Sequence, residues 1–221
     1  MTTGGVFALS RCGQRCELMP PGLAESLIDV SRSSNDVEVS SMVNPTPAAI
    51  KLARLNLSAF VQREARRTAE ELGFGWRPAQ VTPSGLEGLR AELRSCHQTG
   101  LPFRVLEDFS EDTIFMGKAT NWAFRFVHDT RHVWLNADFS TEAELEVASC
   151  HLARAKADGL ETGTLEYAFL FADTVGQTLY VEHTHRFVVH QRQFVLDCVR
   201  LGLDQAIERE SASVYFDGTA S

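Results

Sequence analysis

His128 and His132 stand four residues apart, and Glu144 and His151 follow them seven apart. On an α-helix both spacings bring side chains to one face, one or two turns along. Imidazole nitrogens and a carboxylate converging in this way form a mixed nitrogen and oxygen donor set for a divalent metal, with His128, His132, Glu144 and His151 as its ligands. The chemistry expected there is metal-assisted hydrolysis. An ion with one open position lowers the pKa of bound water, and Glu144 or Asp173 is available as general base. Zinc and iron suit such a shell first and manganese next, whereas calcium prefers an all-oxygen shell. Asp129 points about 100° away from His128 around an ideal helix and reads as a supporting residue. The bland alternative for Glu144 is a capping box with Thr141, in which the glutamate folds back onto the first backbone amide.

Two helices must position these groups. The first is led in by Trp122, Phe124 and Phe126, large apolar residues that bury its face, and it carries both histidines. After Asn136-Ala137-Asp138 a second helix begins near Ser140 or Thr141 and runs to Lys156, stopping at Asp158-Gly159. A third region, from Thr164 to about Glu210, brings Asp173 and Gln177 four residues apart toward the same site. Gly176 within it signals a close helix approach or a bend. His183, seven residues before His190, is the additional ligand to test.

Upstream, Thr46 and Pro47 start a helix that runs to Glu71, with Ile50, Leu52, Leu55, Leu57, Phe60 and Val61 on its buried side. Another helix is expected over Pro83 to Cys96. Phe103–Leu106 and Thr113–Met116 are expected to pair as a short hairpin across Glu107 to Asp112. The fold class is therefore mainly α, a helical bundle with a small β-hairpin. Residues 1–44, with Pro20-Pro21-Gly22 and the polar run Ser31 to Asp36, read as a flexible N-terminal arm. Residues 45–210 read as a single helical domain carrying the polar site, and 211–221 as a C-terminal tail.

A chain of 221 residues, 44% hydrophobic and 23% charged, fits one ordinary core. Its formal charge of -8 argues against a broad phosphate-binding surface, so nonspecific nucleic-acid binding is not expected. No run approaches eighteen apolar residues and the opening residues lack the pattern of a secretion signal, which points to the cytoplasm and to no membrane partner. Five widely spaced cysteines are expected to be reduced thiols rather than a disulfide framework.

Phe124-Arg125-Phe126-Val127-His128-Asp129, followed by His132, Phe139, Glu144 and His151, resembles an uncharacterised domain of the multidomain "polyvalent" proteins of phages and plasmids. Asp173-Thr174-Val175-Gly176-Gln177 is similar to that family's Glu-Thr-x-Gly-Gln, and Leu101-Pro102-Phe103-Arg104-Val105 to the strand before its motif. The resemblance covers about residues 60–182. It departs from the family in having one residue fewer between the two histidines and Leu145 where a second glutamate is usual. It implies a setting in mobile genetic elements and a constellation of His128, His132, Glu144, His151, Asp173 and Gln177, but no established activity. Two other readings stand beside the hydrolase. His97, His128-Asp129 and Asp173 imitate the separated residues of an HD-type phosphohydrolase. A noncatalytic phage or plasmid protein that binds and inhibits a host defence protein would need the polar cluster only as structure.

Overall fold

The structure, a computed structural model, describes residues 44–217, with side chains through residue 213. The expected arm therefore lies, apart from Asn44, outside the described residues.

Helix α1 spans Pro47–Leu72. It begins where Thr46 Oγ1 accepts the Ala49 amide at 3.2 Å, with Pro47 in the first turn, where a missing N–H leaves no helical bond unmade. It stops at Gly73, whose φ of 82° is the left-handed conformation that glycine adopts without a Cβ clash. Ala53, Leu57, Phe60, Val61, Ala65 and Leu72 recur at helical steps and form its buried stripe. Leu52 and Leu55, expected on that stripe, lie across the helix from Leu57 and are 59% and 45% exposed.

Strand β1, Trp76–Ala79, leads through α2, Gly85–Thr99, to β2, Phe103–Leu106. The strands are parallel, with Trp76 opposite Phe103 and Ala79 opposite Leu106. Parallel neighbours need a crossover connection, and α2 supplies it. The expected hairpin is thereby corrected: Phe103–Leu106 is a strand, but its partner is upstream rather than Thr113–Met116. That second segment is irregular because α1 satisfies its backbone. Arg54 donates to the carbonyls of Thr113, Ile114 and Phe115 at 3.3, 2.7 and 3.1 Å, and the Met116 amide donates to Ser58 Oγ at 2.8 Å. With those groups paired, Ile114 and Phe115 enter the core without a strand ladder.

Helix α3, Lys118–Leu135, and helix α4, Thr141–Ala157, follow. Helix α5, Leu165–Phe171, passes through a π-helical turn, Ala172–Gly176, into α6, Gln177–Thr184. The region toward Glu210 is then broken at His185, left-handed with φ 55°, and at Gly202, φ 88°. Two helices, α7, Gln191–Leu201, and α8, Leu203–Asp217, complete it, and α8 runs past the residue where a tail was expected to begin. The Glu210 carboxylate ties α8 to the segment just before α7 by accepting the amides of Val189 and His190 at 2.8 and 3.0 Å.

The fold is mainly α, with α3 at its centre. Phe126 of α3 stacks on Trp76 at 5.1 Å and meets Phe103, while Leu57, Phe60, Phe115 and Leu145 close the same core. A smaller cluster of Tyr180, Val188, Phe194 and Ala206 holds the α7–α8 pair to α6. Gly176 sits against it: a Cβ there would stand 3.5 Å from both Phe194 and Leu203. Cys96 and Cys198 are free thiols as expected, whereas Cys150 is disulfide-bonded. Among the described residues no helix is long and apolar enough to cross a membrane.

One charge is buried along the stripe of α1. Glu64 accepts from Arg67 at 2.6 Å and from Arg154 of α4 at 3.0 and 3.1 Å, and Arg131 of α3 reaches it at 3.5 Å. Burial pulls Arg131 down to about 10, and the Glu64 charge opposes that fall. Removing the carboxylate would leave a buried guanidinium without its counter-charge, which costs about 3–5 kcal/mol. Glu64→Ala is accordingly expected to lower the unfolding free energy by about that amount in urea titration. A loss under about 1 kcal/mol would show that the network is screened like a surface pair.

Candidate metal centre

The polar face of α3 is legible as helical geometry. Asn121, Arg125, His128, Asp129 and His132 fall within about 100° of arc, opposite the apolar face that carries Ala123 and Val127. Helix α3 ends in a left-handed Asn136, and the Ala137 amide returns to the His132 carbonyl at 3.0 Å, a Schellman-type stop. That turn also delivers the Ala137 carbonyl to the His132 ring, whose Nδ1–H donates to it at 3.2 Å. In the neutral ring this leaves the lone pair on Nε2, the nitrogen that faces His128 and Glu144, and in the protonated ring the same Nε2–H is directed at Glu144.

Ser140 begins α4 by accepting the Ala143 amide at 3.4 Å. Because Ser140 rather than Thr141 caps this helix, the capping-box alternative for Glu144 does not form. The Glu144 carboxylate instead turns to α3, with Oε2 3.4 Å from His128 Nε2 and Oε1 3.5 Å from His132 Nε2. The two Nε2 atoms are 3.0 Å apart. A tetrahedral ion with bonds of about 2.0–2.1 Å separates its ligand atoms by about 3.3 Å. Three donors already stand at such separations, so His128, His132 and Glu144 can hold a metal ion; their ligand atoms all lie within 4.8 Å of one another.

The electrostatics follow from burial. Burial alone would raise the Glu144 carboxyl, but the hydrogen bonds and charge of His128 and His132 outweigh it and hold the group well below its usual range. Burial would lower His132, and Glu144 reverses the direction and raises it. Aromatic rings wall the cluster. Phe139 stacks on His132 at 4.5 Å, and Phe124 lies 4.8 Å from His151 and 5.9 Å from His128.

No protein-family model matches this chain, and no curated protein or solved structure matches it.

The remaining sequence candidates lie outside this group of three donors and at different depths. His151 is buried and lies parallel to His128 at 5.6 Å, but its Nδ1 faces the guanidinium of Arg131, and it is not one of the three grouped ligands. Burial, with Arg131 and the two neighbouring histidines, pushes it well below the ordinary imidazole value. Asp129 is half-buried, and burial pushes it up to about 6 against the pull of His128, His132 and Arg125. Asp173, in the π-helical turn, is buried, and Gln177 donates to its Oδ1 at 2.9 Å. Arg125, anchored on the carbonyls of Leu106 and Asp108, carries its charge toward both Asp129 and Asp173. His183 is exposed on α6 and outside the cluster. His97 is exposed at the end of α2, edge-on to Phe74.

Sequence reasoning missed Arg131 and Glu64. The available signal was Glu64 itself, a charge seven residues after Leu57 and so on the buried stripe of α1, which demands a buried partner.

Asp173 yields a pH dependence. Burial raises its carboxyl to about 7, against the pull of Gln177 and Arg125, from an ordinary value of 3.8. Between these values the unfolded chain has released the proton and the folded chain keeps it, so stability falls as pH rises from about 4 to 7 and is level above. The gap corresponds to about 4 kcal/mol. In metal-free protein, Asp173→Asn is expected to flatten this decline and raise the melting temperature at pH 8, as read by thermal denaturation across pH. An unchanged pH profile would show Asp173 ionised in the fold.

Proposed function

We propose that this protein is a metal-dependent hydrolase of a mobile genetic element, holding one divalent ion on His128, His132 and Glu144. The observation that supports it most is the set of mutual separations among the three donor atoms, 3.0, 3.4 and 3.5 Å, close to the edges of a metal polyhedron. The fixed His132 tautomer and a carbonyl behind its second nitrogen are what ligating histidines usually have. Zinc is favoured for hydrolysis. Iron is nearly as well suited, since two imidazoles and one carboxylate with open positions also form the facial set of non-haem iron, and manganese ranks third. A bound ion would supply Lewis acidity and an activated water. Asp173, carried on the π-helical turn and steadied by Gln177, is the proposed general base, with Asp129 supporting the histidine face. The substrate class is open, and the setting in phage or plasmid proteins rests on the resemblance of the Phe124 to His151 stretch.

The HD-type phosphohydrolase has less support, because its first histidine would be His97. The noncatalytic alternative, a protein that binds a host protein through an acidic surface, draws only on the formal charge of -8.

Mass-spectrometric metal analysis of the untagged protein, purified without chelator, is expected to find close to one equivalent. Glu144→Gln should weaken zinc binding by about 100-fold or more, beyond what losing an outer hydrogen bond to a ligand costs. Protein that arrives empty and takes up neither zinc nor ferrous iron on titration would sink the metalloenzyme reading.

A further inference from the structure

His151 occupies the face of α4 two turns beyond Glu144, yet the structure gives its ring a different task from that of a ligand. Its Nδ1 meets Nη1 of Arg131, a side chain that is itself buried and reaches Glu64 Oε2 at 3.5 Å. A guanidinium has five N–H donors and no acceptor, so Nδ1 must offer its lone pair. The single proton of the neutral ring then sits on Nε2. Neither nitrogen is left with a lone pair for a metal while the Arg131 bond persists.

His151 Nε2 is buried and has no partner among the described residues. An N–H in that position is costly to leave unmade. The ring forms one wall of a small pocket shared with Phe60, Phe124, Val127, Leu170 and Glu64, with room for about one water. His128, one of the three grouped donors, lies parallel to His151 at 5.6 Å, so the ring that lines this pocket also borders the donor cluster. We propose that His151 is a fixed hydrogen-bond donor, held in its Nε2–H form by Arg131 and Glu64, and that it binds one oxygen acceptor, a water in the resting protein, behind the metal centre. A pocket with room for about one water excludes a larger substrate group, and Glu64, which shares its lining with His151, is a second polar partner for a single oxygen there. The position of that oxygen beside a metal rests on the proposed function, whereas the donor role of His151 does not.

The test uses the intact chain labelled with ¹⁵N and loaded with ¹¹³Cd, together with a high-resolution crystal structure. Long-range ¹H–¹⁵N spectra are expected to show His151 protonated at Nε2 and unprotonated at Nδ1, with and without cadmium. Cadmium–nitrogen couplings should appear on His128 and His132 and not on His151. Electron density should place one oxygen-sized peak about 3 Å from His151 Nε2. A coupling to His151, an Nδ1–H tautomer, or an Nε2 with no peak beside it would each overturn the proposal. In protein that takes up no cadmium the metal reading falls, and the tautomer and the density still decide the role of His151. Arg131→Leu, provided it folds, should let the His151 tautomers mix, and a ring that keeps its Nε2–H form without Arg131 would refute the lock.

Discussion

A buried guanidinium on the central helix sets the terms for the rest of this structure. Arg131 lies between two groups it must satisfy, the Glu64 carboxylate on α1 and the His151 ring on α4. Charges survive in a core only when paired, so these three helices can close in the arrangement that brings the partners together and in few others. Arg154 and Arg67 add donors to the same carboxylate, and Arg63 and Arg67 bind Asp158 where α4 ends. The network clamps α4 against α1 and α3 near one end. Its other end is thereby aimed, and Glu144 meets His128 and His132 there.

The turn between α3 and α4 does the complementary work. A left-handed Asn136 ends α3 and a serine begins α4 four residues later, so the chain reverses in a short span. The same reversal presents the Ala137 carbonyl to His132 Nδ1 and sends the other nitrogen inward. Backbone geometry, imidazole tautomer and donor set are thus one arrangement. On the far side, the π-helical turn shifts the register of the α5–α6 helix and carries Asp173 in a buried position with Gln177 beneath it.

The helices were legible because their signals are local. Thr46 with Pro47 and the serine before α4 are caps that act within one turn, whereas the left-handed glycines at 73 and 100 that end α1 and α2 went unread. The strand Phe103–Leu106 was legible for the same reason, but its partner was not. A hairpin and a parallel pair share the same strand residues, and the choice between them was made by α2 as a crossover and by Arg54 and Ser58 holding the backbone that would have been the second strand. Leu52 and Leu55 look like core residues by type, and only their angle around α1 exposes them. Glu144 had two local readings, cap or ligand. The cap went to Ser140, which freed the carboxylate for α3.

The sequence by itself determined that His128 and His132 share a face, since a four-residue step on a helix leaves no other option. It determined likewise that Glu144 and His151 project from one side of α4. Which of those two reaches the histidines was decided by the tertiary structure. Arg131 engages His151 from α3, while the Glu144 carboxylate stands 3.4 and 3.5 Å from the two Nε2 atoms. Spacing along one helix fixes direction only. The identity of what waits there depends on side chains from α1 and α3, and their meeting is set by burial and charge pairing across the core.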